Sequence, residues 1–197
     1  MENMETLEKG LVVAGLEALR QIGGEMLVHA LFEQSEMMNF TRPETLPEQV
    51  PLNEYLRYRD TLLEFLQESF CMMAFQTGQI LMRHLNQEKG TQVKRLIDQF
   101  QYAANKLPAI GQAAVLAARD NPGVVRATMR GEALLVITID HCPECRQLRR
   151  NTPFCYLNQG LITEFADIYM GLRVKTQETK CIALGDSVCE VEVSLVT

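Results

Sequence analysis

The chain has 197 residues, of which 47% are hydrophobic and 22% charged, enough for a sizeable core. Its 25 acidic and 19 basic residues give a formal net charge of −6. This balance lacks the basic excess of a protein that makes many phosphate contacts, so we expect no nucleic-acid partner. The N-terminal segment shows no secretory signal and no apolar run reaches membrane-spanning length, so we expect a cytoplasmic protein without an integral membrane segment.

The first 120 residues are predicted to be mainly helical. Apolar residues at helical spacing predict a helix over residues 4–20 that stops at Gly23-Gly24. The proline-containing segment 35–52 is predicted to be a surface loop, with a lid over a binding site as the alternative. We predict a long central helix over residues 53–85, ended by Lys89-Gly90, and two further helices over residues 91–106 and 110–118.

Beyond a turn at Asn121-Pro122-Gly123 the hydrophobic period becomes alternating, which is typical of strands. We predict a hairpin over residues 124–139, a helix with Thr152 as N-cap and Pro153 in its first turn, and two strands over residues 173–183 and 188–196. The sequence therefore predicts a single α+β domain over residues 1–197, in which a four-stranded antiparallel sheet carries helices mainly on one side.

Five of the six cysteines fall in the C-terminal part of the chain, between Cys142 and Cys189, and a reducing cytosol favours thiols or metal ligands over disulfides. Cys155 is predicted in the first turn of its helix, where the helix dipole favours a thiolate. Cys181 and Cys189 project from one face of their hairpin if its loop has an odd number of residues, and from opposite faces if Gly185-Asp186 is a two-residue turn.

Glu178 has the opposite strand parity to Cys181, so a shared site requires a β-bulge or a strand end between them. Soft thiolates with one carboxylate suit tetrahedral zinc, and four protein ligands are typical of a structural site. The alternative is that these cysteines are small buried residues of a helix-on-sheet core.

The second half of the chain also carries a set of residues with a familiar arrangement. They are Phe154-Cys155, Gly160, Glu178, Cys181, Gly185-Asp186 and Cys189. From about residue 153 to residue 193 this pattern resembles the 4-vinyl reductase domain family. The resemblance implies a fold like that of the TRAPP vesicle-tethering subunits, which often dimerise. Relatives include phenol-sensing domains of bacterial activators, archaeal proteins thought to bind hydrocarbons, and proteins of bacteriochlorophyll synthesis.

In the phenol sensors three cysteines and a glutamate hold zinc. The resemblance therefore implies a zinc site at the matching positions, Cys155, Glu178, Cys181 and Cys189. It also implies a homodimer, for which the apolar stripe of residues 7–19 is a candidate interface.

A C-x-x-C pair, Cys142 and Cys145, follows the predicted hairpin directly after His141. Such a pair occurs in zinc knuckles, dithiol redox couples and iron–sulfur sites. Here it lends one thiolate to the zinc in place of Glu178, holds a separate metal, or is an exposed loop with ordinary thiols. These three residues are therefore alternative ligands.

We expect a non-enzymatic module that binds a small hydrophobic or aromatic molecule, with a tetrapyrrole such as a chlorophyll precursor as one candidate. The expected pocket residues are apolar or aromatic and flank the presumed cavity: Phe100, Tyr102, Leu135, Ile137 and Tyr156. One alternative is a vinyl-group reductase, although no nucleotide-binding fingerprint is visible. Another is a TRAPP-like assembly protein. His29 and His84 are interpreted as surface or interface histidines.

Overall fold

The computed structural model describes residues 6–34, 37–98, 106–118 and 124–196. The elements, in chain order, are β1 (Thr6–Glu8), α1 (Lys9–Gln34), β2 (Gln49–Pro51), α2 (Leu52–Leu66), α3 (Phe70–Asp98), α4 (Leu107–Ala117), β3 (Val124–Arg130), β4 (Leu134–Asp140), α5 (Tyr156–Met170), β5 (Val174–Lys180) and β6 (Cys189–Leu195). Helices with antiparallel sheets confirm the predicted α+β class. Within the described ranges, no helix combines the length and apolar character needed to cross a membrane.

The first helix continues beyond its predicted end. Gly24 has φ 74 and ψ 176, so it breaks the helical path at the predicted position, but the chain re-enters a helix and continues to Gln34. Val28 and Phe32 are fully buried in the second segment. Their burial explains why the helix resumes, since apolar side chains can offset the cost of a glycine kink.

The segment predicted as a loop is mostly irregular. It contains two 3₁₀ turns, Met38–Thr41 and Pro43–Thr45, and the short strand β2, which pairs antiparallel with β1. Phe40 is buried and its ring stacks on Tyr58 of α2, with 5.3 Å between centroids. The segment thus lies against α2; its role as a lid stays a prediction.

The long central helix predicted over residues 53–85 is two helices. Gln67 has φ 47, a left-handed conformation that ends α2, and a 3₁₀ turn (Gln67–Ser69) leads into α3. Helix α3 then runs through Lys89-Gly90, which was wrongly predicted to end it. One glycine costs only about 1 kcal/mol in a helix interior, which tertiary contacts readily offset. The helix predicted over residues 91–106 and the turn at Asn121-Pro122-Gly123 fall partly or wholly outside the described residues.

The main sheet has four strands in the order β3-β4-β6-β5, and all three neighbouring pairs are antiparallel. Strand β6 therefore lies between β4 and β5. Leu135 and Ile137 on β4 and Val191 on β6 are buried on one face. On that face Gly111 of α4 lies against Leu135, and α5 contacts β5. Helices α4 and α5 thus cover the same face of the sheet.

The opposite face of this sheet is lined by ion pairs. The pairs, with the distance between the charged atoms, are Arg126–Asp140 at 2.6 Å, Arg130–Glu192 at 2.7 Å and Lys180–Glu190 at 3.1 Å. Alternation of apolar and charged residues along each strand produces these two faces.

Helices α3 and α5 cross at two glycines. A Cβ on Gly78 would collide with the carbonyl oxygen of Leu157, and a Cβ on Gly160 with that of Phe75. The two backbones therefore come into direct contact, which only glycine permits. This crossing fixes α5, and with it the position of Cys155, relative to the helical half of the chain.

The apolar stripe of α1 is covered by the chain itself. Leu7, Val12, Leu16 and Leu19 are each no more than 3% exposed. A side chain already buried within the chain offers no free surface to a second copy, so this stripe does not support the homodimer, which stays a prediction.

Candidate metal centre and adjoining cavity

Cys155 is the N-cap of α5, three residues later than the predicted cap at Thr152. Residues 152–155 do not enter the helix, because Phe154 packs on Phe70 with 5.1 Å between ring centroids and Cys155 turns toward the β5–β6 hairpin. The backbone N–H of Cys155 donates to Glu178 Oε2 at 2.7 Å. The positive end of the helix dipole therefore lies beside a carboxylate and a thiol, and it favours their charged forms.

A β-bulge brings Glu178 and Cys181 to one face. Glu178 pairs with Val191 and Lys180 pairs with Glu190, so the register shifts between residues 178 and 180. The extra residue reverses the parity, and this is the bulge that the sequence required for a shared site.

The hairpin loop directs Cys181 and Cys189 inward. It contains a 3₁₀ turn (Ile182–Leu184) and Gly185 with φ 106, so it is longer than either loop considered from the sequence. Cys181 N–H donates to Asp186 Oδ2 at 2.8 Å, and Ile182 N–H to Cys189 Sγ at 3.4 Å. Both cysteines are fully buried.

The C-x-x-C pair lies in a tight turn that follows β4. His141 has φ 54, and the N–H groups of Cys145 and Arg146 both donate to the carbonyl oxygen of Cys142, at 3.2 and 3.0 Å. Cys142 and Cys145 are fully buried, which excludes the exposed-loop interpretation. His141 is exposed and lies outside the buried cluster.

Four thiols and one carboxylate converge on one point. The Sγ atoms of the four cysteines and a carboxylate oxygen of the glutamate all lie within 4.8 Å of one another; the residues are Cys145, Cys155, Glu178, Cys181 and Cys189. Cys145 Sγ lies 3.3 Å from Cys155 Sγ and 3.4 Å from Cys181 Sγ. With metal–sulfur bonds of about 2.3 Å, two ligands of a tetrahedral site are about 3.8 Å apart. The separations therefore fit one metal ion.

The electrostatics of the cluster also fit a cation. Hydrogen bonds among the thiols, those with Cys142 and Cys145 foremost, raise the pKa of Cys155. The bond with Cys145 is the main cause that lowers the pKa of Cys181. Neighbouring thiolates repel, so without a cation they cannot all ionise.

Glu178 has one bonded and one free carboxylate oxygen. Oε2 accepts the hydrogen bond from Cys155, whereas Oε1 is buried and has no hydrogen-bond partner among the described residues. Burial raises the pKa of Glu178 to about 7, and the backbone hydrogen bond from Cys155 acts in the opposite direction. A buried oxygen without a partner is costly, and a metal ion is one way to satisfy it.

A buried arginine of α2 holds the C-x-x-C turn. Arg59 is 1% exposed, and its Nη1 donates to three carbonyl oxygens of the turn at 2.9–3.2 Å, those of Pro143, Glu144 and Arg146. Its Nε and Nη2 donate to Asp60. The side chain thus links α2 to the segment that carries Cys142 and Cys145.

A cavity of about 20 Å³, room for about one water molecule, adjoins this turn. It lies between α1, α2 and α3, and Tyr58, Thr77 and Glu144 contribute polar groups to its lining. The hydroxyls of Tyr58 and Thr77 are buried without a hydrogen-bond partner in the described part of the chain. Glu144 accepts a hydrogen bond from the Tyr55 hydroxyl, and burial raises the pKa of Glu144 to about 7.

The residues proposed from sequence as a pocket lie elsewhere. Leu135 and Ile137 are buried on the sheet face covered by α4 and α5, and Tyr156 is partly buried in the first turn of α5. None of the three lines the cavity. Phe100 and Tyr102 lie outside the described residues.

Of the two histidines interpreted as surface residues, His29 is exposed. His84 is part-buried, with its Nε2 2.6 Å from Glu17 Oε2.

Sequence reasoning missed the polar residues of α2. Tyr55, Arg59 and Leu62 have the i, i+4, i+7 spacing of one helix face, and all three are buried. A charged residue within an apolar stripe was the available signal, since a buried arginine requires partners.

Comparison with known proteins places the cysteine cluster in a known domain. Residues 135–195 match the 4-vinyl reductase domain, and this range contains all five residues of the cluster together with strands β5 and β6. The match confirms the resemblance seen in the sequence. An uncharacterised protein of Methanocaldococcus jannaschii is 34% identical over 62 residues, which are 32% of this chain and 34% of that protein. The match thus spans about a third of the curated relative.

The fold resembles solved H-NOX proteins over nearly the whole chain. An H-NOX protein from K. algicida in the Fe(II) unliganded state has a TM-score of 0.68 at 10% identity, covering 97% of each chain. An H-NOX protein from S. oneidensis in the Fe(II)NO state has a TM-score of 0.63 at 11% identity, covering 97% of this chain and 100% of that one. At these identities the likeness concerns the fold alone. The resemblance to TRAPP subunits stays a prediction.

Proposed function

We propose that this chain, whose residues 135–195 are a 4-vinyl reductase domain, is a non-enzymatic small-ligand-binding module with one structural zinc. The observation that carries the proposal is the buried convergence of Cys145, Cys155, Cys181 and Cys189 with Glu178. Soft thiolate ligands at tetrahedral separations suit zinc, and a site with four protein ligands leaves no open position for chemistry.

Zinc at this point would join three separate segments. Cys155 brings the start of α5, Cys181 and Cys189 bring the β5–β6 hairpin, and Cys145 brings the turn after β4. Four-coordinate zinc needs Cys155, Cys181 and Cys189 and one more donor, for which Cys145 and Glu178 are the two candidates. Such a site would hold the C-terminal hairpin against the helices.

Two observations support small-ligand binding. The fold resembles H-NOX proteins solved in Fe(II), Fe(II)NO and Fe(II)CO ligation states. The cavity also holds two buried hydroxyls without partners among the described residues, on Tyr58 and Thr77, beside the rings of Tyr55 and Phe70. Apolar walls with a few polar groups are typical of ligand sites. The ligand class that fits is a small aromatic or hydrophobic molecule with a hydroxyl group.

The cavity has to widen to take such a ring, because its present volume suffices for about one water molecule. A tetrapyrrole is much larger than a phenol and would require a larger separation of the helices. Phenol and protoporphyrin IX are therefore the two probes that distinguish the ligand classes.

Elemental analysis of protein purified without chelator tests the metal. We expect one equivalent of zinc and no visible absorbance. A flavin or iron–sulfur spectrum would favour the alternative of a vinyl-group reductase. Zinc far below one equivalent, with no other metal present, would contradict the proposal and leave a core of buried thiols.

A further inference from the structure

The cluster contains more donors than a tetrahedral ion uses. Five candidate ligands lie within 4.8 Å of one another, and a fifth thiol, that of Cys142, lies 3.6 Å from Cys155 Sγ. Two complete sets can be formed around Cys155, Cys181 and Cys189: one with Cys145 as the fourth donor and one with Glu178. The chain therefore holds a spare carboxylate and a spare thiol at the same site.

The spare carboxylate is already in position. Hydrogen bonding to Cys155 N–H fixes Glu178 Oε2, while Oε1 is buried without a partner in the described residues. Small movements suffice to exchange it with Cys145, because both belong to the same group of atoms.

The spare thiol is placed to react with Cys145. Cys142 and Cys145 lie in one tight turn, closed by the hydrogen bond from Cys145 N–H to Cys142 O, and both Sγ atoms contact Cys155 Sγ, at 3.6 and 3.3 Å. Asn158 Nδ2 lies 3.7 Å from Cys142 Sγ, a contact that supports its thiolate. C-x-x-C pairs in such turns form disulfides readily.

We infer that the fourth ligand is redox-dependent: Cys145 binds the metal in the reduced protein, and Glu178 replaces it when Cys142 and Cys145 form a disulfide. This inference rests on the proposed zinc site. The oxidant is a hydroperoxide. The Cys145 thiolate attacks the peroxide oxygen and becomes a sulfenic acid, releasing hydroxide that takes up a proton. The sulfur of Cys142 then displaces water as it loses its proton. With hydrogen peroxide, one thiol, one thiolate and one proton give a disulfide and two water molecules.

The exchange keeps the metal bound while changing the turn. Arg59 donates to three carbonyl oxygens of residues 143–146, and Glu144 of the same turn lines the cavity. Closing the disulfide therefore acts on the segment that joins the metal site to α2 and to the cavity.

The test is zinc X-ray absorption spectroscopy of the zinc-loaded full chain before and after one equivalent of hydrogen peroxide, with peptide mapping under non-reducing conditions. We expect four sulfur ligands before oxidation, and three sulfurs with one oxygen afterwards. One equivalent of zinc should be retained, and the disulfide should map to Cys142 and Cys145.

Two variants separate the steps. Cys142→Ser keeps all five candidate ligands, so its zinc should stay bound to four sulfurs after peroxide. Glu178→Gln should bind zinc through four sulfurs when reduced but lose it on oxidation. Cys71→Ser is the matched control, because Cys71 lies outside the cluster and its loss should leave the response unchanged.

Several results would overturn the inference. They are three sulfurs and one oxygen already in the reduced protein, a disulfide at another pair or none at all, and zinc release from the oxidised wild type. A reduced protein that binds no metal would instead contradict the proposed zinc site itself, so the two failures are distinguishable.

Discussion

At the scale of single residues, each thiol of the cluster is placed by a different piece of backbone. Cys155 is a helix N-cap, Cys181 follows a β-bulge and Cys189 begins β6. Cys145 lies in a turn held by Arg59. Because the four thiols meet only in the folded chain, metal binding and folding are expected to be coupled.

Replacing one of these thiols should therefore cost both metal and stability. Cys181→Ser should lower the zinc content and reduce the free energy of unfolding by several kcal/mol, more than the about 1 kcal/mol typical of a point substitution. Elemental analysis and thermal unfolding measure the two effects. Cys71→Ser should leave the zinc content unchanged; an equal loss in both variants would argue against a specific site.

The Tyr58 hydroxyl should contribute to ligand binding. Tyr58→Phe removes a buried hydrogen-bonding group without changing the shape of the cavity, so we expect phenol to bind about tenfold more weakly. Titration calorimetry measures the change. Tyr169→Phe is the matched control, because the Tyr169 hydroxyl is also buried without a partner in the described residues but does not line the cavity. Equal weakening in both variants would place the ligand elsewhere.

At the scale of elements, the α3–α5 crossing depends on glycine. Gly160→Ala would drive a Cβ into the carbonyl oxygen of Phe75, so the helices must separate. We expect a loss of about 1–3 kcal/mol in the free energy of unfolding, despite the higher helix propensity of alanine. Chemical denaturation measures it. Gly10→Ala is the control, since its Cβ would meet only Leu81 Cδ1 at 3.8 Å; a similar loss there would show that the crossing is not the cause.

The link between α2 and the C-x-x-C turn depends on Arg59. Arg59→Met keeps most of the side-chain length but leaves three buried carbonyl oxygens without their donor, so we expect a loss of at least about 3 kcal/mol and weaker zinc binding. Thermal unfolding and competition with a zinc chelator test both effects. Arg95→Met, at an exposed position of α3, should change neither. Unchanged zinc affinity in Arg59→Met would mean that the turn is held without this residue.

At the scale of the whole molecule, zinc would join the C-terminal sheet to the helices. Removal of zinc with a strong chelator is therefore expected to lower the melting temperature by on the order of 10 °C, since several kcal/mol are lost in a chain of this size. Calorimetry with and without chelator measures the shift, and added zinc should restore the original value. Full thermal stability in the chelator would contradict a structural role.

Local sequence patterns were sufficient to predict the order of elements in the C-terminal half and the residues of the cluster. Hydrophobic period is a local property, so both hairpins and α5 were predicted to within a few residues. The need for a bulge between Glu178 and Cys181 also followed from strand parity alone.

Which groups meet, in contrast, depends on the packing of distant segments. Gln67 ends α2 with a positive φ, and no local pattern marks that residue as a helix breaker. The inward direction of Cys142 and Cys145 depends on Arg59, which is more than 80 residues away along the chain. The apolar stripe of α1, interpreted from sequence as a dimer surface, is buried within the chain. Long-range packing determines whether an apolar or charged face meets solvent, another chain or its own core, and no short stretch of sequence contains that information.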